Sequence, residues 1–239
     1  MLFKRGRAFT IVEMLLVISL ITLLISMLMP ALGKSRRAAR AMLCSSQAAQ
    51  LTWAVQQFVD QNQGKMFPFI HLPKMYWIGR VLPYLNDDDR ILICPETTGN
   101  SGGLGNAHLN WGPIGGWGDN KAGSYGMNLW LLSVGDYSND PNMIQAGYHR
   151  NLDHTPSDTP VFGDSQWVGA WPDDIDTWPT NTITPPNSHL RGFFMSRFCI
   201  DRHDEAINVS FRDGSARRVR LRDLWQLKWH RTFIPGDPK

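Results

Sequence analysis

"GRAFTIVEMLLVISLITLLISMLMPAL", residues 6–32, decides how this chain is organised. From Phe9 to Leu32 the only charged residue is Glu13. An apolar run of that length forms a helix that spans a bilayer. Two other readings compete with the span. A secretory signal has a shorter apolar region and a small-residue cleavage site behind it, and the following "PALGKSRRAAR" fits such a site poorly. A core helix of a soluble domain is apolar along one stripe, whereas this segment is apolar all round. The composition therefore favours a membrane span. Lys4, Arg5 and Arg7 precede it and Lys34, Arg36, Arg37 and Arg40 follow it, so basic flanks alone do not orient it.

Glu13 is the anomaly in that span. A carboxylate near the middle of a bilayer costs roughly 2.5–3.5 kcal/mol on insertion scales, and less toward the interface. Such a residue is retained when it has a partner, and none is expected within reach on the same helix. A cut before Phe9 would create an α-amino group at the start of the apolar segment. That amino group on a neighbouring copy would supply the partner Glu13 lacks.

The formal charge of the 239-residue chain is +3. Lys4, Arg5 and Arg7 account for that whole excess, so removing the leader leaves no net attraction for nucleic acid. The remaining basic knot at Lys34–Arg40 sits where headgroups would be.

The stretch "AFTIVEMLL" resembles the class III signal of type IV prepilins and type II secretion pseudopilins, which usually reads G-F-T-L-I-E. In that family a dedicated peptidase cuts before Phe and methylates the new amino group, and the Glu five residues into the mature chain guides assembly. The resemblance implies cleavage between Ala8 and Phe9, methylation of Phe9 and an assembly role for Glu13. Ala8 stands where the family usually has Gly. Pro30 lies where these helices commonly carry a kink. The implied partners are the prepilin peptidase, an inner-membrane assembly platform, filament neighbours of the same kind and, before assembly, the lipid bilayer. The implied place is the cytoplasmic (inner) membrane, single-pass, with the head in the periplasm or outside, and then a filament. A plain N-terminal anchor with an incidental Glu is the alternative.

Past Gly33 the helix is expected to continue. Cys44, Ala48, Leu51, Val55 and Phe58 follow a 4-3-4-3 spacing that makes one apolar stripe, with Arg40, Gln47, Gln50 and Gln57 on the polar face. Gly64 closes "DQNQGK" as a C-terminal cap. A soluble coiled coil competes, but the stripe is short for one. From Lys65 onward Gly, Pro, Asn, Asp and Trp dominate. The short apolar runs "RILIC", "TPVFG", "FFMSRFCI", "INVSF" and "ARRVRL" are strand-sized and set apart by turn residues. The glycine-rich stretch between Pro95 and Asn128 reads as a loop pinned by Trp111, Trp117 and Tyr125. The expected organisation is a leader over 1–8, a transmembrane helix over 9–33, its amphipathic extension over 34–63 and a β-rich head over 64–239. The fold class is α+β.

Within the head, "RHDEAINVSFRDGSARRV" places Asp213-Gly214 between two strand-like runs, a hairpin signal of the type I′ kind. His203, Asp213 and Gly214 also match the H-x9-D-G signature of a large pilin-like family of planctomycete and verrucomicrobial-type bacteria. Cys44, "CP" at Cys94-Pro95, "SYGMN" at Ser124–Asn128, "FGDS" at Phe162–Ser165 and the closing "LWQLKWH" resemble that family too. A strand of about six residues, rising roughly 3.3 Å each, separates His203 from Asp213, so the two do not form one site. The plain reading has His203 bonded to a neighbouring loop and Asp-Gly shaping the turn. A site, for metal or chemistry, would instead bring Asp164 near His203.

Other motifs carry less. "GNSGG" at Gly99–Gly103 looks like a protease nucleophile loop but lacks the matching His and Asp contexts, so a glycine-rich loop is the better reading. Asp87–Asp89 and Asp173–Asp176 are candidate calcium ligands without an EF-hand pattern, and solvated acidic turns are the plainer reading. Neither a phosphate loop nor zinc-type spacing is present. The ten Trp residues suggest either core and loop pins or a carbohydrate-binding face. Cys44 and Cys94 would bridge helix to head if the pilin-like reading puts them outside the cytoplasm, leaving Cys199 free. The expectation is a non-enzymatic pilin-like or pseudopilin subunit. The rival is a membrane-anchored periplasmic binding module, with glycans as its ligand class.

Overall fold

The computed structural model describes residues 10–68, 77–113, 121–133, 148–149, 152–186 and 192–239. The expected loop pin Trp117 and the processing residues Ala8 and Phe9 lie outside the described residues. One helix, α1 (Ile11–Gln61), runs through two compact units, Met1–Ala39 and Arg40–Lys239.

In the first unit, α1 is long and apolar enough to cross a membrane. From Ile11 to Leu32 it rises about 33 Å, matching a hydrocarbon core of about 30 Å. Its Leu, Ile, Val and Met side chains are exposed on every side. Ser19, Thr22 and Ser26 turn their hydroxyls onto the carbonyls three residues back, so none of them presents an unsatisfied donor to an apolar surround. Pro30 lies inside the helix, where its missing N–H removes one rung of the backbone ladder.

In the second unit the remainder of α1 is a packing helix. Cys44, Ala48, Leu51 and Val55 are fully buried, as the spacing predicts. Val59 takes the last buried position, with Phe58 half-buried beside Phe67 and Tyr84. On the opposite face Arg40, Gln50 and Gln57 are exposed, while Gln47 is drawn inward by hydrogen bonds to Tyr125 and Arg90. The helix ends in a Schellman-type cap. Gln63 and Gly64 both have positive φ, and Gly64 N–H donates to Val59 C=O at 3.0 Å.

Among the described residues five strands form one sheet in the order β3-β1-β2-β4-β5: β1 (Tyr125–Asn128), β2 (Pro160–Asp164), β3 (Gly169–Ala170), β4 (Ala206–Phe211) and β5 (Ala216–Arg220). All pairings are antiparallel except β1 with β3. A short helix, α2 (Trp77–Val81), adds Trp77, Ile78 and Val81 to the core. The observed class is α+β. The alternation of β4 explains how both faces of the sheet are covered. Ile207, Val209 and Phe211 join a core with Trp225, Trp229 and Phe198. Asn208 and Ser210 point the other way and bond to α1, through Asn208 Nδ2 to Ala41 C=O and Thr52 Oγ1 to Ser210 Oγ. Short polar side chains here let the helix approach closely while bonding directly to it.

"TPVFG", "INVSF" and "ARRVRL" supply β2, β4 and β5. Two other runs are not strands. "RILIC" begins in a 3-10 turn (Asp89–Leu92) because Asp88 accepts the Arg90 N–H and caps it. "FFMSRFCI" also coils into a 3-10 turn (Phe194–Arg197). Every residue from Phe194 to Ile200 is buried, so no alternation exists for a sheet face to exploit. The hairpin turn differs as well. Gly214 has φ +82° while Asp213 has ordinary negative φ, and Gly214 N–H donates to Phe211 C=O. This is a three-residue loop, a type I turn followed by a left-handed glycine, rather than type I′.

Candidate functional site

At the start of α1, Thr10 is the N-cap and Glu13 the third helical residue. Thr10 N–H and Thr10 Oγ1 each donate to Glu13 Oε2 at 2.9 Å, and Glu13 N–H donates to Thr10 Oγ1 at 3.2 Å. This reciprocal arrangement is a capping box. Glu13 therefore has a polar partner on its own helix, a threonine rather than a cation, which corrects the expectation that its own chain offers nothing.

The head has its own convergence of polar side chains, built around Asp164 at the end of β2. Its Oδ2 accepts Asn208 N–H from β4 at 2.7 Å and lies 3.3 Å from His203 Nε2. Its Oδ1 is 3.3 Å from Arg202 Nη1. The Asp164 and Arg202 side chains are fully buried and that of His203 nearly so. Burial works against the Asp164 charge, but His203, Arg202 and the Asn208 N–H outweigh it and hold the carboxyl below its ordinary value. The same burial, together with the Asp164 charge, pushes the Tyr125 phenol well above its usual range.

Arg202 spreads its guanidinium over three carbonyls, Ser124 at 2.6 Å, Asn106 at 2.7 Å and Ala107 at 3.3 Å. It thereby ties the glycine-rich loop to the start of β1. His203 receives Arg218 on its carbonyl, at 3.1 and 2.6 Å. Its Nε2 also lies 3.7 Å from Cys94 Sγ. Cys94 is disulfide-bonded to Cys44 of α1, so these sulfurs are not thiolates and do not offer a metal the ligand it needs. Beside the bridge Tyr125 Oη donates to Gln47 Oε1 at 2.8 Å and to Cys44 C=O at 3.3 Å. Cys199 remains a free thiol, its pKa pushed up to about 12 by burial.

Asp164 and His203 therefore meet, as the alternative reading of the signature requires. They meet in a place closed to solvent, and the contacts are those of a structural lock: one carboxylate joins β2, β4, the 202–203 turn and, through Cys94, α1. Asp213 lies at the far end of the hairpin, where its Oδ1 accepts Ser215 N–H and Oγ at 2.9 and 2.6 Å. Gly214 sits under Trp53 of α1. A Cβ at Gly214 would come within 2.8 Å of the indole. The two ends of the signature thus serve the same end, one at each end of β4, by holding the hairpin on the helix. Arg202 and Asn208 were not singled out from sequence, although Arg202 adjoins His203. Nothing in the pattern marks Trp53 as the residue that covers the turn.

The remaining motifs resolve individually. Ser101 Oγ accepts Gly103 N–H within its own loop. Asp88 pairs with Arg90 and Asp89 with Lys121, each at 2.7 Å, so two of the three carboxylates of the first acidic run meet a cation of the chain itself. The second is not a solvated turn: Asp173 and Asp176 are buried, and Asp176 Oδ2 accepts the backbone N–H groups of Asp173 and Met195. Five tryptophans, Trp77, Trp111, Trp130, Trp225 and Trp229, are core residues whose indole N–H groups each reach a carbonyl.

No protein-family model, curated protein or solved structure matches this chain.

Proposed function

We propose that this chain is a pilin-like structural subunit, cut by a prepilin peptidase between Ala8 and Phe9 and assembled through its N-terminal helix into a filament of a type II secretion or type IV pilus-like machine. The observation that carries this reading is the apolar surface exposed all round the first half of α1, with a carboxylate in its first turn. Such a surface needs a cover, first lipid and then the matching helices of other copies. Both Thr10 donors use Oε2 of Glu13. In the filament Oε1 accepts from the α-amino group of a neighbouring Phe9, a charge-assisted bond.

Glu13→Gln tests this directly, because Gln satisfies a capping box as Glu does but carries no charge. The expected result is normal insertion and normal cleavage at Phe9 with filament yield sharply reduced. Glu13→Leu inserts at least as well and assembles no better. Filaments formed by Glu13→Leu at the parent level would overturn the intersubunit pair, and intact Met1 in the presence of active peptidase would overturn the processing.

The rival reading, a membrane-anchored binding module, has one observation in its favour. A groove of about 480 Å3 on the head is lined by Trp178, Thr182, Asp204, Glu205, Arg218 and Arg220, among others. Saturable glycan binding by a chain that never assembles would favour it.

A further inference from the structure

The buried acidic loop Asp173–Asp176 meets the C-terminal segment at His230. Asp173, Asp176 and His230 are each at most 2% exposed. The His230 ring is held between Trp130 and Phe233, with centroids 4.7 and 5.2 Å away. Its Nδ1 is 3.2 Å from Thr232 Oγ1. Among the described residues its Nε2 has no hydrogen-bond partner, and it faces Asp173, 3.8 Å from Oδ1. One ligand atom from each of Asp173, Asp174 and His230 lies within 4.8 Å of the other two.

The loop is braced from behind. Asp176 Oδ2 accepts Asp173 N–H at 2.8 Å and Met195 N–H at 2.7 Å, and its carbonyl accepts Trp225 Nε1–H at 2.9 Å. Asp176 Oδ1 is buried and, like His230 Nε2, has no hydrogen-bond partner among the described residues. Adjacent carboxylates drawn out of water beside an orphaned imidazole nitrogen make an unfavourable arrangement. A bound cation removes both penalties at once.

We propose that Asp173, Asp174 and His230 bind a divalent transition-metal ion of the zinc class. An imidazole nitrogen with two carboxylates is a donor set that suits Zn2+, whereas Ca2+ takes six to eight oxygens. Metal–ligand distances near 2.0–2.2 Å put ligand atoms about 3.4 Å apart, a modest contraction from the spacing present. Asp174, the half-buried member, makes that adjustment and gives the ion its way in. Thr232 takes the role of the outer partner: Nδ1–H donates to its hydroxyl, which presents the Nε2 lone pair to the metal. The ion cross-links the 173–176 loop to the C-terminal segment and so secures the core around Trp225 and Trp229.

The test uses the full chain in detergent micelles, stripped with chelator and dialysed, then titrated with Zn2+ alone by calorimetry and checked for metal content. The expected result is one Zn2+ per chain with a higher unfolding temperature. Asp174→Asn, whose side chain is only half-buried and whose fold is verified by circular dichroism, lowers the affinity at least about tenfold. His230→Gln does the same, and His203→Gln, at the other polar cluster, leaves it unchanged. The proposal is overturned if folded parent chain takes up no Zn2+, or if Asp174→Asn binds it like the parent. It is also overturned if His203→Gln abolishes uptake, since the metal would then sit beside the disulfide.

Discussion

Replacing Asp164 by Asn keeps the shape of the side chain and removes its charge. Arg202 is then left as a fully buried cation with carbonyl oxygens as its only compensation. Removing one partner of a buried ion pair costs about 3–5 kcal/mol. For a unit of this size that corresponds to a fall in unfolding temperature of roughly 6–20 °C. The Asn208 N–H still has an amide oxygen to bond, so the loss reports on the charge rather than on the strand pairing. Arg202→Met should cost more than Asp164→Asn, because it also strips the carbonyls of Ser124, Asn106 and Ala107 of their donors. The double variant should cost less than the two losses added, since an unpaired Asp164 no longer faces an unpaired Arg202. The pH dependence separates the charge from packing. The Asp164 carboxyl is held below its ordinary value in the fold, so its contribution is present above the unfolded pKa of about 3.9 and is lost as pH falls through the lower folded value. The parent should therefore lose stability steeply below about pH 4, and Asp164→Asn should lack that part of the acid limb. Thermal unfolding of the full chain in micelles, followed by near-ultraviolet circular dichroism, measures all of these. A loss under about 1 kcal/mol for Asp164→Asn, with an unchanged acid limb, would refute the lock and leave Arg202 held by its carbonyls alone.

Gly214→Ala should cost about 1–2 kcal/mol from the left-handed backbone alone, with a further penalty from contact with Trp53. In a Trp53→Ala background only the first part should remain, and a neutral Gly214→Ala in the parent would contradict the docked turn. Val55→Asp places an unpaired charge in a fully buried position of α1 and should cost several kcal/mol, on the order of 4 or more. Unchanged thermal unfolding of that variant would contradict the packing of α1 on the sheet.

The local pattern was enough for the parts of this protein whose physics is local. A run from Phe9 to Leu32 with Glu13 as its only charge has one stable use of its backbone in lipid, a helix, and the 4-3-4-3 spacing through Val55 named the side of the next segment that is buried. β-Branched and aromatic alternation did the same for β4, and the Asp-Gly pair for the hairpin that follows it. Where burial is complete on all sides, as from Phe194 to Ile200, periodicity carries no information and the run coiled instead of extending. The type of turn at Gly214 depended on the register of β4 with β5, which a sequence does not state.

The polar clusters were legible only as residues, not as partners. Asp164 and His203 are far apart along the chain; Arg202 comes with His203, while Asn208 of β4 and the Cys44–Cys94 bridge reach the pair from elsewhere. The acidic loop at Asp173 reads as a solvated turn until the C-terminal His230 is folded against it. Each of these charges finds its counterpart only after loops have closed, because Coulomb and hydrogen-bond partners are chosen by distance in space. The apolar period is set by neighbours three or four residues away, and for that reason the sequence determined the helix and three of the five strands. β1 instead arises at the end of the stretch that reads as a loop, because Tyr125–Met127 pair with β2, and the tertiary structure alone decided which buried polar groups meet.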